Sequence, residues 1–382
     1  MIRDAALYLA TPDDIRLARQ TVAGRPLAFR IVMAAVRAGV QRVTVPSVLR
    51  DPALETALAR SPSARAAIHW VQGDAPAPSG PIVLLPATTL ITAPVVASLA
   101  ASPATRAVVA TRDAASPVAA ATPGVIAPIW PALVRGDAVG AALAKALRDS
   151  AADDAATLGL VAPIRTPESA AAAEERLLST LGSPIDTRFD RAFHRRLSRP
   201  ITRWAIAHGV TANAITVTSI AVGFLAAVAI ASDGIAGAIL GVLLYAVAVV
   251  LDHADGEVAR LAFAESAFGE WLDVGGDTLV HASLVAGMGM TAERAADAGF
   301  AMGLVAAVGV IASAWVAKTA PPAGNAVNRA FGALGNRDGF YVMLVAFLLA
   351  LATAPSLLPA LMVLVALGTH AYWIGMVITK GA

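Results

Sequence analysis

Apolar positions follow two different rules along this chain. Through the first 150 residues they come in short runs of strand length, at Ala6–Ala10, Arg42–Pro46, Ile68–Val71, Pro81–Leu85 and Ala107–Thr111. Helical stretches separate several of these runs, among them Pro26–Val40 with Gly39 as its stop signal. Strands alternating with helices predict βαβ units, a mostly parallel sheet and a soluble α/β domain over residues 1–150. From Ile215 onward the runs lengthen to what a bilayer core of about 30 Å requires. Six spans are expected, at about 214–232, 234–252, 271–290, 298–317, 340–354 and 356–378, the fifth being short. The back of the chain, 210–382, is therefore expected to be an all-α membrane domain.

Between these regions lie two transitional segments. Residues 151–186 are rich in Ala, Ser, Pro and acidic residues, as a linker with one helix over Pro167–Leu181 would be. Residues 187–209 repeat Phe189, Phe193, Leu197, Ile201 and Trp204 at spacings of three or four, interleaved with Arg188, Arg191, Arg195, Arg196, Arg199 and Arg203. That pattern predicts an amphipathic juxtamembrane helix, kinked at Pro200, lying on an anionic lipid surface.

Composition agrees with this division. Of 382 residues, 57% are hydrophobic and 15% charged, where soluble domains carry roughly 25% charge. A soluble single-domain enzyme is excluded by that balance. So are disordered, collagen-like and disulfide-scaffold classes, because apolar content is high, glycine has no period and cysteine is absent. The absence of cysteine also fits a reducing compartment. The net charge of +2 hides an asymmetry: residues 1–210 hold 23 of the 29 basic residues against 16 acidic ones, and residues 211–382 hold 6 against 11. Arg260, Lys318, Arg329, Arg337 and Lys380 fall in segments on one side of the expected spans. The opposite loops carry only Asp233, Glu293, Arg294 and Asp297. The positive-inside rule then puts both termini in the cytoplasm and the protein in the inner, cytoplasmic membrane. No signal peptide is expected, and no nucleic-acid partner is expected.

Of the 11 acidic residues in the back half, seven lie between Asp252 and Asp277. Asp252 and Asp255 are three apart at the end of the second span, and Asp273 and Asp277 are four apart at the start of the third. Each pair falls on one helix face, and a hairpin would bring the pairs together. An intramembrane Asp costs about 2.5–3.5 kcal/mol, so four converging carboxylates need compensation, which divalent cations supply. Hard oxygens with no His or Cys ligand set favour Mg²⁺, Mn²⁺ or Ca²⁺ over zinc. Gly256, Ala259 and Gly269 leave room beside the carboxylates for a bulky ligand. Arg260 adds a fork suited to phosphate. These residues describe a phosphoryl-transfer site for a nucleotide diphosphate substrate.

The same residues read Asp-x2-Asp-Gly-x2-Ala-Arg-x8-Gly-x3-Asp-x3-Asp, and this stretch resembles the signature of the CDP-alcohol phosphotransferases at every fixed position. At usages of roughly 5–10% per residue, eight fixed positions coincide by chance in fewer than about one chain in a million. The resemblance covers roughly residues 186–382. It includes Thr211-Ala212-Asn213, where the family commonly has Thr-Pro-Asn, and so extends a nucleotide-side role to Asn213. It implies two divalent cations, Mg²⁺ or Mn²⁺, with Asp252, Asp255, Asp273 and Asp277 as metal ligands and Asp277 also as the general base. Gly256, Ala259 and Gly269 would make room for cytidine, and Arg260 would help hold the diphosphate. The implied partners are a CDP-alcohol donor (CDP-diacylglycerol or a CDP-polyol), a hydroxyl acceptor and the lipid bilayer, with the enzyme a homodimer.

Other readings are set against this one. A secondary transporter also buries carboxylates in a membrane, but a proton relay needs no Gly256, Ala259, Arg260 and Gly269 at fixed offsets. His253 stands at a free position of the signature and reads as a spacer; His281 and His370 read as packing residues. Arg337-Asp338 reads as a structural ion pair or as part of the acceptor pocket. In the front domain, Val22–Leu27, Arg37–Val40 and Val43–Val45 resemble sugar-nucleotidyltransferase-like, Rossmann-like domains. Such a domain precedes the phosphotransferase in bifunctional inositol-phosphate cytidylyltransferase/di-inositol-phosphate-phosphate synthases, so a bifunctional enzyme is a further alternative. An active member would carry a Gly-rich, Arg-bearing loop after its first strand, where this chain has Leu9-Ala10-Thr11-Pro12-Asp13-Asp14. It would carry a metal-binding Asp where Pro86-Ala87 stand. The front domain is therefore expected to keep the fold without cytidylyl transfer.

Overall fold

A computed structural model describes residues 1–103, 105–111, 116–155, 158–182, 190–319 and 337–378. Arg188, Phe189, Arg329 and Lys380 lie outside the described residues, as do the side chains of Arg191 and Arg337. The chain divides into two compact units, Met1–Leu181 and Gly182–Ala382.

The first unit is built on a seven-stranded sheet: β1 (Asp4–Tyr8), β2 (Arg42–Pro46), β3 (Ile68–Val71), β4 (Ile82–Pro86), β5 (Val108–Thr111), β6 (Val118–Ala121) and β7 (Asp153–Asp154). Their order across the sheet is β7-β5-β6-β4-β1-β2-β3. Pairings are parallel except those of β6, which runs antiparallel to both β4 and β5. The central strands β1 and β4 are buried almost throughout, as strands covered on both faces must be. Helix α1 (Leu27–Arg37) is stopped by Gly39, whose φ of +88° a side chain would resist. Below the sheet, Trp130 packs with Leu84, Ile126 and Leu143 and donates its indole N–H to the Ala75 carbonyl at 2.9 Å.

Residues 151–181, which read as linker in the sequence, pack as part of this unit. Val161–Pro163 pairs antiparallel with Thr89–Ile91. Helix α2 (Pro167–Ser179) opens with a capping box between Thr166 and Ser169. Its Glu174 accepts from the Ala23 N–H at 2.7 Å. Beneath that contact the buried Arg30 donates from Nε to the Val22 carbonyl and from Nη2 to the Ala23 carbonyl. Burial pushes the Arg30 guanidinium down to about 9, with Glu174 working against the shift.

The second unit is helical. Helix α3 (Arg195–Ala207) precedes α4 (Ala212–Ile230), α5 (Gly234–Ala262), α6 (Ala267–Ala296), α7 (Phe300–Thr319), α8 (Arg337–Thr353) and α9 (Leu358–Ile378). Among the described residues, four segments are long and apolar enough to cross a membrane: Ala212–Ile230, Gly234–Ala262, Phe300–Thr319 and Pro355–Gly375. The other two expected spans fall on α6, whose first turns carry Glu270, Asp273 and Asp277, and on α8, which is only 17 residues long.

Helix α4 packs along α5 and α6, α6 against α7, and α7 against α9. Small residues allow the closest of these approaches. A methyl group added at Gly289 of α6 would stand 2.7 Å from the Gly303 Cα of α7. Tyr245, Leu284, Met288 and Phe347 fill the centre of the bundle.

Helix α3 lies with its polar side inward. Ser198, Thr202 and Arg195 are buried, whereas Phe193, Leu197 and Trp204 are about half exposed. The cause is Glu257 on α5, a carboxylate 1% exposed. It accepts from Arg195 Nη1 at 2.9 Å and Ser198 Oγ at 3.0 Å through Oε1, and from Thr202 Oγ1 at 2.6 Å through Oε2. Satisfying that carboxylate leaves Phe193, Leu197 and Trp204 facing outward, while Ile201 packs inward beside Ala205.

Candidate active site

The two halves of the acidic motif are held by a short connection between α5 and α6. Helix α5 ends at Phe263, which takes a left-handed φ of +55°. The Ala264 N–H then bonds back to the Ala259 carbonyl at 2.9 Å, the reach-back of a Schellman cap. Two residues later Ser266 caps α6, its Oγ accepting from the Gly269 N–H at 3.0 Å. On the other side Thr211 caps α4. Ala212 occupies the first helical position, where proline is favoured, so the Thr-Ala-Asn sequence leaves the start of α4 where Thr-Pro-Asn would put it. Asn213 Oδ1 lies 3.2 Å from where a Cβ on Gly269 would stand.

These ends enclose a cleft of about 450 Å³, within the usual size of small-molecule sites. Asn213, Asp255, Gly256, Ala259, Arg260, Gly269 and Asp273 all line it. Asp252, Asp255 and Asp273 each present a carboxylate oxygen within 4.8 Å of the others, an arrangement able to hold a metal ion. Asp277, the fourth expected ligand, stands outside that group, one turn further along α6. Its charge acts on both Asp255 and Asp273.

Two observations test whether these residues suit a cation and a nucleotide. Asp255 Oδ2 is buried with no hydrogen-bond partner among the described residues, a cost of several kcal/mol unless something positive meets it. The glycines of the bundle also fall into two kinds. Cβ atoms on Gly223, Gly289 and Gly303 would drive into a neighbouring helix. The atoms nearest to one on Gly256 would be those of the Arg260 guanidinium, at 3.2 Å, and one on Gly269 would meet the side chains of Asn213 and Ser266. Helix packing therefore does not require glycine at these two positions; an open cleft floor does. The residues present fit the group.

Beside the cleft is a polar cluster that sequence reading passed over. His253, expected as a spacer, is buried, with Nδ1 donating to the Val249 carbonyl at 2.8 Å and Nε2 3.3 Å from Asp190 Oδ1. Asp190 also accepts from His194 Nδ1 at 2.8 Å, and His194 Nε2 meets the Tyr341 hydroxyl at 3.1 Å. Deeper in the bundle, His281 Nδ1 donates to the Asp277 carbonyl at 2.7 Å and Nε2 accepts from the Tyr245 hydroxyl at 2.8 Å. His370 joins the Val305 carbonyl and Trp373, in keeping with a packing role. The partners in the bonds that join one helix to another in these networks are far apart in sequence, 147 residues for His194 and Tyr341 and 36 for Tyr245 and His281, so no local period reveals them.

The apolar helices suggest a membrane protein, and the carboxylates gathered beside the cleft form a group able to hold a metal ion. Residues 209–379 match the family model for CDP-alcohol phosphatidyltransferase. Over that stretch the chain is similar to a transferase family that takes a CDP-alcohol donor and an alcohol acceptor and uses divalent metals. No curated protein matches the chain.

Proposed function

We propose that the membrane domain transfers a phospho-alcohol group from a CDP-alcohol to an acceptor hydroxyl, releasing CMP, in phospholipid or polyol-phosphate synthesis. The observation that carries this reading is the convergence of Asp252, Asp255 and Asp273 over a cleft whose glycines are open. The acceptor oxygen forms a bond to the β-phosphorus in line with the bridging oxygen, the bond to that oxygen breaks, and CMP leaves. Asp277, beside the ligand cluster, takes the acceptor proton. Gly256, Ala259 and Gly269 admit the cytidine, Arg260 pairs with the diphosphate, and Asn213 faces the nucleotide from α4. Asp252, Asp255, Asp273 and Asp277 would hold two divalent cations, Mg²⁺ or Mn²⁺, which when bound supply neutralisation of the diphosphate and of the leaving nucleotide. The donor is CDP-diacylglycerol or a CDP-polyol. The protein works as a homodimer in the cytoplasmic membrane, with six spans and with both termini and the cleft facing the cytoplasm.

The front domain is a scaffold or regulator. Its first loop supports that assignment: Asp14 Oδ2 accepts from the Ala10 N–H at 2.7 Å, and Asp14 Oδ1 from Thr11 Oγ1 at 2.5 Å. An internal carboxylate thus takes a backbone donor that a phosphate would need.

The test is CMP release by the purified full chain from CDP-diacylglycerol or CDP-inositol, with Mg²⁺ and glycerol phosphate or inositol phosphate as acceptor. Release is expected, falling by at least about 100-fold in Asp277→Asn, the scale of a lost general base. No CMP from any donor, or undiminished release by the variant, would overturn the reading. Proton-coupled uptake into liposomes, abolished by the same substitution, would put a transporter in its place.

A further inference from the structure

The two metal-bearing helices touch each other sparsely along their length, and their carboxylates repel. Something must fix the rotation of α6 relative to α5, because about 100° of helix rotation separates successive side chains. Tyr245 and His281 are placed to do this. Tyr245 lies on α5 seven residues before Asp252, and His281 lies on α6 eight residues after Asp273, so both sit about two turns on the same side of the carboxylates. Tyr245 is 2% exposed. Its hydroxyl and His281 Nε2 are 2.8 Å apart, and His281 Nδ1 is 2.7 Å from the Asp277 carbonyl.

A carbonyl can only accept, so Nδ1 carries the proton and Nε2 presents a lone pair. With the imidazole neutral, the tyrosine hydroxyl is the donor. The bond consequently has one polarity, and it ends on the backbone of Asp277 itself. Phe340 holds the imidazole edge-on at 4.5 Å between centroids and also packs on Tyr245, at 5.2 Å.

We infer that Tyr245 and His281 are positioning residues that set the angle at which Asp277 meets Asp252, Asp255 and Asp273. This inference rests on the proposed metal-dependent reading of the site and deepens it. The pair acts through the backbone of α6 and not on a carboxylate; loss of groups that orient metal ligands weakens metal affinity by about 10- to 100-fold.

The test is Mn²⁺ binding by the purified full chain, followed through the electron paramagnetic resonance signal of the free ion, alongside thermal melting without metal. Tyr245→Phe and His281→Leu are each expected to weaken Mn²⁺ binding by about tenfold or more. His281→Gln, which keeps an acceptor for the tyrosine hydroxyl, should stay within about threefold of the parent protein. The double variant Tyr245→Phe/His281→Leu should be no weaker than either single one, because both remove the same bond. Unchanged affinity in Tyr245→Phe would overturn the inference, as would additive losses. So would a loss of affinity matched by an equal loss of metal-free thermal stability, which would assign the pair to folding alone. Asp255→Asn separates the two levels. If it binds Mn²⁺ like the parent, the metal reading of the site fails and the inference with it. If it loses Mn²⁺ while Tyr245→Phe does not, only the inference fails.

Discussion

Glu257 shows how much a single residue can organise. It stands between Gly256 and the Val-Ala-Arg of the motif, at a position the motif leaves free, yet it is the most enclosed carboxylate near the site. Its three donors all come from α3, so that helix is fastened to the motif helix through one side chain. Breaking a buried pair from one side leaves the other charge without compensation and costs about 3–5 kcal/mol. Glu257→Ala should therefore lower the melting temperature of the purified protein sharply. Arg195→Met with Glu257→Leu together should recover most of the loss, since an apolar pair of similar size needs no compensation. A melting point for Glu257→Ala within error of the parent would contradict this account.

Among the helices, close approach and open space divide the glycines. Gly289→Val forces α6 and α7 apart and should destabilise the bundle by about 1–3 kcal/mol. Gly368→Ala on α9, where an added methyl group meets nothing within 4 Å, should be neutral or slightly stabilising. Thermal melts of the two variants in one detergent make the comparison. Most elements were legible in advance. The strands at Arg42–Pro46 and Ile68–Val71, the helix ending before Gly39 and the four most apolar spans follow from patterning alone. Strand β6 was not legible, because Val-Ala-Ala-Ala has neither alternation nor β-branched content to mark it. Nor was β7, two exposed acidic residues recruited to a sheet edge. Of the site, the three clustered carboxylates and the residues that line the cleft were readable because helical spacing and side-chain type are local facts. Tyr245, His194 and Glu257 were not, because their roles are set by partners from distant parts of the chain.

For the whole molecule, two units with separate cores answer to two solvents. The first buries its apolar residues almost completely: among the described residues of Met1–Leu181, the large hydrophobics left exposed are Met1, Val48 and Leu158. The second exposes Leu243, Val308, Leu349 and many others along its helices, as a surface meant for hydrocarbon does. Residues 1–181 expressed alone should therefore be soluble and melt cooperatively. Incubated with CTP, Mg²⁺ and a polyol phosphate, they should release no pyrophosphate. Pyrophosphate release would revise the role of the front domain and make the chain a bifunctional enzyme. With brominated lipids as quenchers, a variant retaining Trp204 as its single tryptophan should be quenched strongly, since that ring lies on the outward apolar stripe of α3.

The left-handed turn at Phe263 and the cap at Ser266 make the eight residues between Arg260 and Gly269 a fixed count. One residue more or fewer in that stretch would turn α6 by about 100° about its axis, carrying Asp273 and Asp277 away from their partners while leaving every ligand in place in the sequence. The connection thus behaves as the keyway of a lock. Substitutions within it can be absorbed while a change of length cannot, and the spacing of the motif is a measurement of angle written as a number of residues.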